Sequence, residues 1–300
     1  MDEVKKIDKR ESLTVVTDNG LIDAQDLPKL SLNARKLFYV AVSQCKRSDK
    51  EFYEYETTPA ELAEMWGIDR SNVYREADKI TTELMKIVIT LRTGKKSFQK
   101  RHLFEKCNYD DNAKLTFKLH NEMTDLLLGL KKDFSKPLVW DFMKMRSPYS
   151  MALWHLFQKE MKSFKPITTQ RIEFDIPLEE LRAVTGTEKK LKQIGQFKER
   201  VLDKALKEIK RNCWVDITYT NIKRGRTITG FRFTAQSIWG YMDVSDMPFR
   251  MQKRMRKAAL IRKRVDIGLS PEEQEELLAL MDDLNQLTIE DVVNKYPLDD

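Results

Sequence analysis

One order of parts occurs twice in this chain of 300 residues. In the first half, YETTPAELAEMWG leads into a helical stretch and then IVITLRTGKK. In the second half, FDIPLEELRAVTG leads into another helical stretch and then VDITYTNIKRGR. A unit longer than a solenoid repeat that occurs only twice means a duplicated domain, not an array. Each copy reads as a leading helix, a strand, a short helix closed by glycine, a longer helix, and a hairpin with a cationic tip. Glycine permits the tight turn of a helix-turn-helix, and the hairpin supplies a wing. The expected fold class is α+β: tandem duplicated winged-helix domains with a C-terminal basic segment and an acidic helical tail.

The first copy is expected over 1–130. Pro59 suits a first helical turn, and Leu62, Ala63 and Trp66 give that helix an apolar face. Gly67 allows the turn, Ile68 plugs the core, and Asp69 or Ser71 can cap the next helix. There Val73, Ala77, Ile80 and Leu84 point one way, while Ser71, Asn72, Arg75, Lys79, Thr82 and Lys86 point the other. A hairpin follows, 87–92 with 98–109, its tip carrying Lys95 and Lys96. Residues 131–148 form a junction, whose Val139, Trp140, Phe142 and Met143 predict that the two domains pack on each other.

The second copy is expected over 149–240. Its long helix is predicted from Thr185, which has capping-box spacing to Glu188, through 211. Leu191, Ile194, Phe197, Val201, Leu202, Ala205, Leu206 and Ile209 share its apolar side. Lys189, Gln193, Gln196, Arg200, Lys204, Lys207 and Arg211 fall largely on the other. The following hairpin carries Lys223, Arg224 and Arg226 at its tip. The remaining 241–300, a basic segment and an acidic tail, has no role assigned by its sequence.

Charge sharpens this reading. The net charge is +7, and it is unevenly spread. Residues 186–264 hold 21 Lys and Arg against 7 Asp and Glu, whereas 265–300 hold one Lys against 11 acids. A basic block suits a polyanion such as nucleic acid. For a single helix, a solvated charged face is the competing explanation. Two helix-turn-helix units in tandem, each with a cationic wing, favour DNA.

Other chemistries find little here. Cys45, Cys107 and Cys213 are far apart and form no CxxC pair, which points to a reducing, cytoplasmic setting. His102, His120 and His155 have no metal-binding spacing, and no phosphate-binding loop motif exists. No metal, cofactor or catalytic group is expected, and the chain reads as a non-enzyme. No run of about 18 apolar residues exists, so no membrane partner is expected.

With FKERVLDKALKEI followed by VDITY, together with NARKLFYVAV and ELAEMWGIDRSNVY, the chain resembles the iteron-binding Rep family, replication initiators of theta-replicating plasmids. The resemblance runs from about residue 13 to residue 240 and is strongest in the second copy. It implies monomers bound to direct repeats in double-stranded origin DNA, the second recognition helix dominating specificity. It also implies origin opening, and recruitment of the host initiator and replicative helicase. A homodimer formed through the first domain would act as autorepressor at an operator inverted repeat. The second recognition element then matches Lys189, Lys192, Gln193, Gln196, Arg200 and Lys204, and the first matches Arg70, Ser71, Asn72, Arg75 and Lys79.

Rival readings remain at this level. A stand-alone winged-helix transcription regulator shares every DNA-binding feature. A rolling-circle nicking enzyme would need paired histidines and a nucleophilic tyrosine, and the scattered histidines disfavour it. A scaffold acting through the acidic tail leaves the paired wings unexplained.

Overall fold

Ser31 precedes an apolar run, and its hydroxyl accepts a hydrogen bond from Ala34 N to start the first long helix. In the computed structural model, residues 4–7, 13–24, 26–46, 48–94, 96–161, 171–238, 249–266 and 268–284 are described. The chain opens with β1 (Lys5–Lys6), β2 (Thr17–Asp18) and α1 (Asn19–Ile22), then the buried helix α2 (Leu32–Ser43). The first helix-turn-helix follows as β3 (Tyr55–Thr57), α3 (Pro59–Trp66) and α4 (Val73–Lys86). Strands β4 (Val88–Arg92), β5 (Phe98–His102), β6 (Phe104–Tyr109) and β7 (Leu115–Leu119) complete the first copy.

The expected return strand 98–109 is in fact two strands. β5 pairs with β4 as a separate ribbon, while β6 pairs with β7 in the sheet β1-β3-β7-β6. The break falls at Leu103, which is fully buried between them. Alternation continues through such a break, so periodicity does not reveal it.

α5 (Thr124–Leu127) follows, and the junction contains β8 (Phe134–Ser135) and α6 (Val139–Met143). The helix α7 (Pro148–Glu160) comes next, followed by β9 (Arg171–Pro177) and α8 (Leu178–Thr185). The second long helix consists of α9 (Ile194–Phe197), a π-helical segment (Lys198–Asp203) and α10 (Lys204–Cys213). The strands β10 (Val215–Arg224) and β11 (Thr227–Ser237) form the second wing, and β11 also pairs with β9. Gly230 sits at that pairing, where a Cβ would lie 2.7 Å from the Ile176 carbonyl. Two further helices, α11 (Phe249–Asp266) and α12 (Pro271–Leu284), end the described chain.

One apolar core runs through both copies. Phe38, Phe104 and Phe117 fill the first part, and Phe157, Phe174 and Phe233 the second, with Phe174 stacked on Phe233 at 5.7 Å. Full burial of a ring such as Phe38 or Phe233 contributes about 1.5–3 kcal/mol, and half-buried Phe174 less. The two parts meet at α7. Its His155 is buried, with Nδ1 2.9 Å from the Tyr39 hydroxyl and Nε2 2.9 Å from Thr17 Oγ1 and 3.1 Å from Ser135 Oγ. Desolvation, and then the nearby Arg35, pushes the His155 pKa down to about 3, so the ring is neutral. Buried Arg35 itself donates to the carbonyls of Pro28, Leu30 and Pro148, joining segments from both copies.

Candidate nucleic-acid interface

The second helix-turn-helix departs from its sequence expectation at one place. The helix does not start at Thr185. Thr185 is the last residue of α8, where its hydroxyl donates back to the Leu181 carbonyl at 2.6 Å. Gly186 caps α8 in the left-handed conformation, φ 64°. A turn then runs to Gln193, and the recognition helix begins at Ile194. Lys189 and Lys192 therefore sit in the turn, Gln193 is the N-cap residue, and Gln196, Arg200 and Lys204 follow along the helix.

Arg182 holds that turn. Its guanidinium donates to the carbonyls of Thr187, Lys190, Leu191 and Lys192 at 3.0–3.2 Å and lies 4.7 Å from the centre of the Phe197 ring. The planar five-donor group suits four convergent oxygens as an ammonium would not. Leu191, in the same turn, has φ 51°, a conformation that costs a side-chain-bearing residue energy and needs outside support.

The helix buries Phe197, Val201, Leu202, Ala205, Leu206 and Ile209. Its rear is tied to the junction: Glu208 accepts from the backbone N–H groups of Arg146 and Ser147, and Asn212 donates to the Lys144 carbonyl. Its side is tied to the wing, where Lys198 donates to Asn221 at 3.3 Å and the Tyr219 hydroxyl donates to Asp203 at 2.7 Å. Lys189, Lys192, Gln193, Gln196, Arg200 and Lys204 point outward and are all exposed. Among the described residues their side chains have no hydrogen-bond or ion-pair partner.

The first copy has a tighter turn. Thr58 and Glu61 form a capping box at the start of α3, and Gly67 closes it with φ 66°. Asp69 accepts from both the N–H and the hydroxyl of Ser71, and those bonds hold its carboxyl below the usual range. A short 3-10 turn, Arg70–Asn72, then leads into α4. Arg75 donates to Asn72 Oδ1 at 2.8 Å, and Lys79 lies 3.8 Å from Glu76. Arg70, Ser71, Arg75 and Lys79 are exposed and Asn72 half-buried.

Two family models match this chain: "Initiator Replication protein, WH1" over residues 14–158 and "Initiator Rep protein, WH2" over residues 177–235. Together they span about two thirds of it. The chain belongs to the initiator Rep protein family. The PI protein of Escherichia coli is 32% identical over 114 residues, 36% of this chain. That match spans 37% of the length of the relative. Among solved structures, the Pi initiator protein in complex with iteron DNA superposes with a TM-score of 0.62 at 21% identity. The match covers 76% of this chain and 98% of that one. It has the same fold, two winged helices in tandem.

The wings of this Rep protein differ from each other. The second is long, with ten and eleven residues in its strands and Gly225 at φ 62° in the two-residue turn. A bulge lies at Ile222/Lys223, and Lys223, Arg224 and Arg226 are exposed around the tip. Arg232 and Asp175 brace its base by paired bonds of 2.8 and 2.9 Å. The first wing is the five-residue ribbon β4–β5, with Lys96 exposed at its tip. Lys95 lies outside the described residues.

Sequence reasoning missed Arg182, Glu208, Lys198 and Tyr219, which position the recognition helix without facing outward. Their contacts are tertiary, so no local pattern marks them. His102 and His120, distant in sequence, have ring centres 6.3 Å apart. Among the described residues no group of His, Cys, Asp and Glu is placed to hold a metal ion. Nor is any described helix long and apolar enough to cross a membrane.

Proposed function

We propose that this Rep protein initiates plasmid replication by binding direct repeats in double-stranded origin DNA. The observation that carries this is the outward row of Gln193, Gln196, Arg200 and Lys204 at the start of a helix whose other faces are fixed. A recognition helix reads bases with its N-terminal residues, and Arg and Gln match purine edges in the major groove. Lys189 and Lys192 in the turn, and Lys223, Arg224 and Arg226 on the wing, hold flanking phosphates. The first copy uses Arg70, Ser71, Asn72, Arg75, Lys79, Lys95 and Lys96 on a neighbouring face of the repeat. That a protein of the same fold was solved with iteron DNA supports this reading.

In the same proposal the chain divides into a first winged helix over 1–130, a junction over 131–148 and the principal DNA-binding winged helix over 149–240. A monomer acts at the origin, where binding energy offsets deformation of the DNA, and draws in the host initiator and helicase. A homodimer through the first winged helix represses the chain's own gene at an inverted repeat. The cytoplasm is the matching compartment, and no catalytic group is required.

Footprinting on the DNA upstream of the gene, at stated salt, tests this. Protection of evenly spaced direct repeats beside an A+T-rich stretch is expected. Protection of one palindrome alone would make the protein a transcription regulator instead.

A further inference from the structure

The helices α11 and α12 lie beyond both family matches, and their charges are opposite. α11 carries eight Lys and Arg against one acid, and α12 carries six acids and no cation. They form a hairpin turned at Gly268, φ 83°, whose N–H donates to the Lys263 carbonyl at 3.1 Å. Leu260 and Leu277 are buried, 1% and 3% exposed, and neither joins the main core.

Ion pairs of Arg256 and Lys263 cross the hairpin. Arg256 donates to both oxygens of Glu276 at 2.9 and 2.8 Å, and Lys263 to both oxygens of Glu273 at 2.7 and 2.8 Å. Glu273 also belongs to the start of α12, accepting from Ser270 N at 3.1 Å. A carboxylate set against a guanidinium in this two-bond geometry occupies the same donors that a phosphate would take. Arg256, Lys263 and Glu276 are well exposed and Glu273 half-buried, and ion pairs this close to solvent are weak and readily exchanged.

We infer that α11 is a further contact for the DNA backbone, and that α12 covers it: Glu276 and Glu273 occupy Arg256 and Lys263 until duplex phosphates displace them. This rests on the DNA-binding reading above. α12 then acts as an internal phosphate mimic that suppresses binding to random duplex. Beside a bound repeat, the high local concentration of phosphate overcomes it.

The test uses the full chain with Glu273→Gln and Glu276→Gln together. Gln at 273 keeps an oxygen for the helix start and removes the charge. Binding to a mixed-sequence duplex and to the upstream repeats is followed by fluorescence anisotropy across a salt series. For the mixed duplex, affinity is expected to rise at least about threefold, and the salt slope to steepen by up to about two phosphates' worth. Adding Arg256→Gln and Lys263→Gln should return both to the parental values or below.

An unchanged slope in the first variant, with the parent still binding its repeats, overturns this inference alone. So does a gain that survives loss of Arg256 and Lys263. A parent that binds neither duplex overturns the DNA-binding reading and this inference with it.

Discussion

The two winged helices share a frame and differ in how they hold the helix that faces outward. In both, a glycine with φ near 65° ends the first helix, Gly67 in one and Gly186 in the other. After Gly67 the chain turns locally, with Asp69 capping Ser71 and the exposed polar side chains largely bonded to one another. After Gly186 the turn is longer, includes Leu191 in a left-handed conformation, and is gripped from outside by Arg182. The outward side chains there keep their bonding capacity for something else. A motif that satisfies itself is cheap to fold and has less to offer a ligand; one held by its surroundings can present unpaired donors. The contrast supports the second copy as the principal reader.

The largest expected effect tests the origin of that contrast. Replacing Arg182 with Ala removes four charge-assisted bonds from a partly exposed turn. It should lower stability by about 2–4 kcal/mol in urea unfolding and weaken sequence preference. Lys at this position should recover only part. A variant with unchanged unfolding and unchanged preference would mean that the longer turn stands without its support.

What the halves share is the His155 cluster. Its pKa is lowered from 6.5 to about 3 by burial and Arg35, so unfolding takes up a proton between those values. Its contribution is complete above pH 6.5 and is lost as pH falls toward 3. The loss should be about 1.4 kcal/mol per pH unit inside that window. His155→Gln should flatten this dependence when unfolding midpoints are compared at pH 7 and pH 5. An equally steep dependence in the variant would assign the acid sensitivity elsewhere.

At the proposed readers, Arg200→Ala should cost about 1–3 kcal/mol of affinity for the target repeat and relax preference at one base position. Arg75→Ala, which removes a side chain already bonded to Asn72, should cost at most about 1 kcal/mol. The reverse ranking in competition binding would make the first copy the principal reader. The smallest effects belong to the wings. Lys223→Gln or Arg224→Gln should weaken all duplexes alike and flatten the salt slope by about one each. Lys96→Gln should do less, and a loss confined to one sequence would turn any of these from phosphate holders into readers.

Duplication, order of parts and the two closing glycines were legible because each follows from local rules: φ > 0 after a helix, apolar spacing, cationic tips. The start of the second recognition helix was not. Thr185 and Glu188 have the spacing of a capping box, yet the Thr185 hydroxyl bonds back to Leu181 and the true N-cap residue, Gln193, makes no side-chain cap bond. The deciding contact comes from Arg182, whose donors reach forward to Lys192, and no i,i+3 pattern encodes it. The split of 98–109 at Leu103 was hidden for a related reason, since alternation fixes faces and not partners. Exposure of Lys189, Lys192, Gln193, Gln196, Arg200 and Lys204 was legible because it follows from burial of the opposite face, whereas Asn72 is half-buried and Lys95 lies outside the described residues.

The π-helical segment at Lys198–Asp203 separates the recognition helix into a front that points outward and a rear anchored by Glu208 and Asn212. Such a segment holds one residue more than a regular turn. Losing that residue would restore an unbroken α-helix and swing the front by about 100° against the anchored rear. Gln193, Gln196 and Arg200 would rotate away and a different set would come forward, and Phe197, buried in the same front, would have to leave its place in the core. A single codon gained or lost at this point would therefore change the outward set and the packing at Phe197 together.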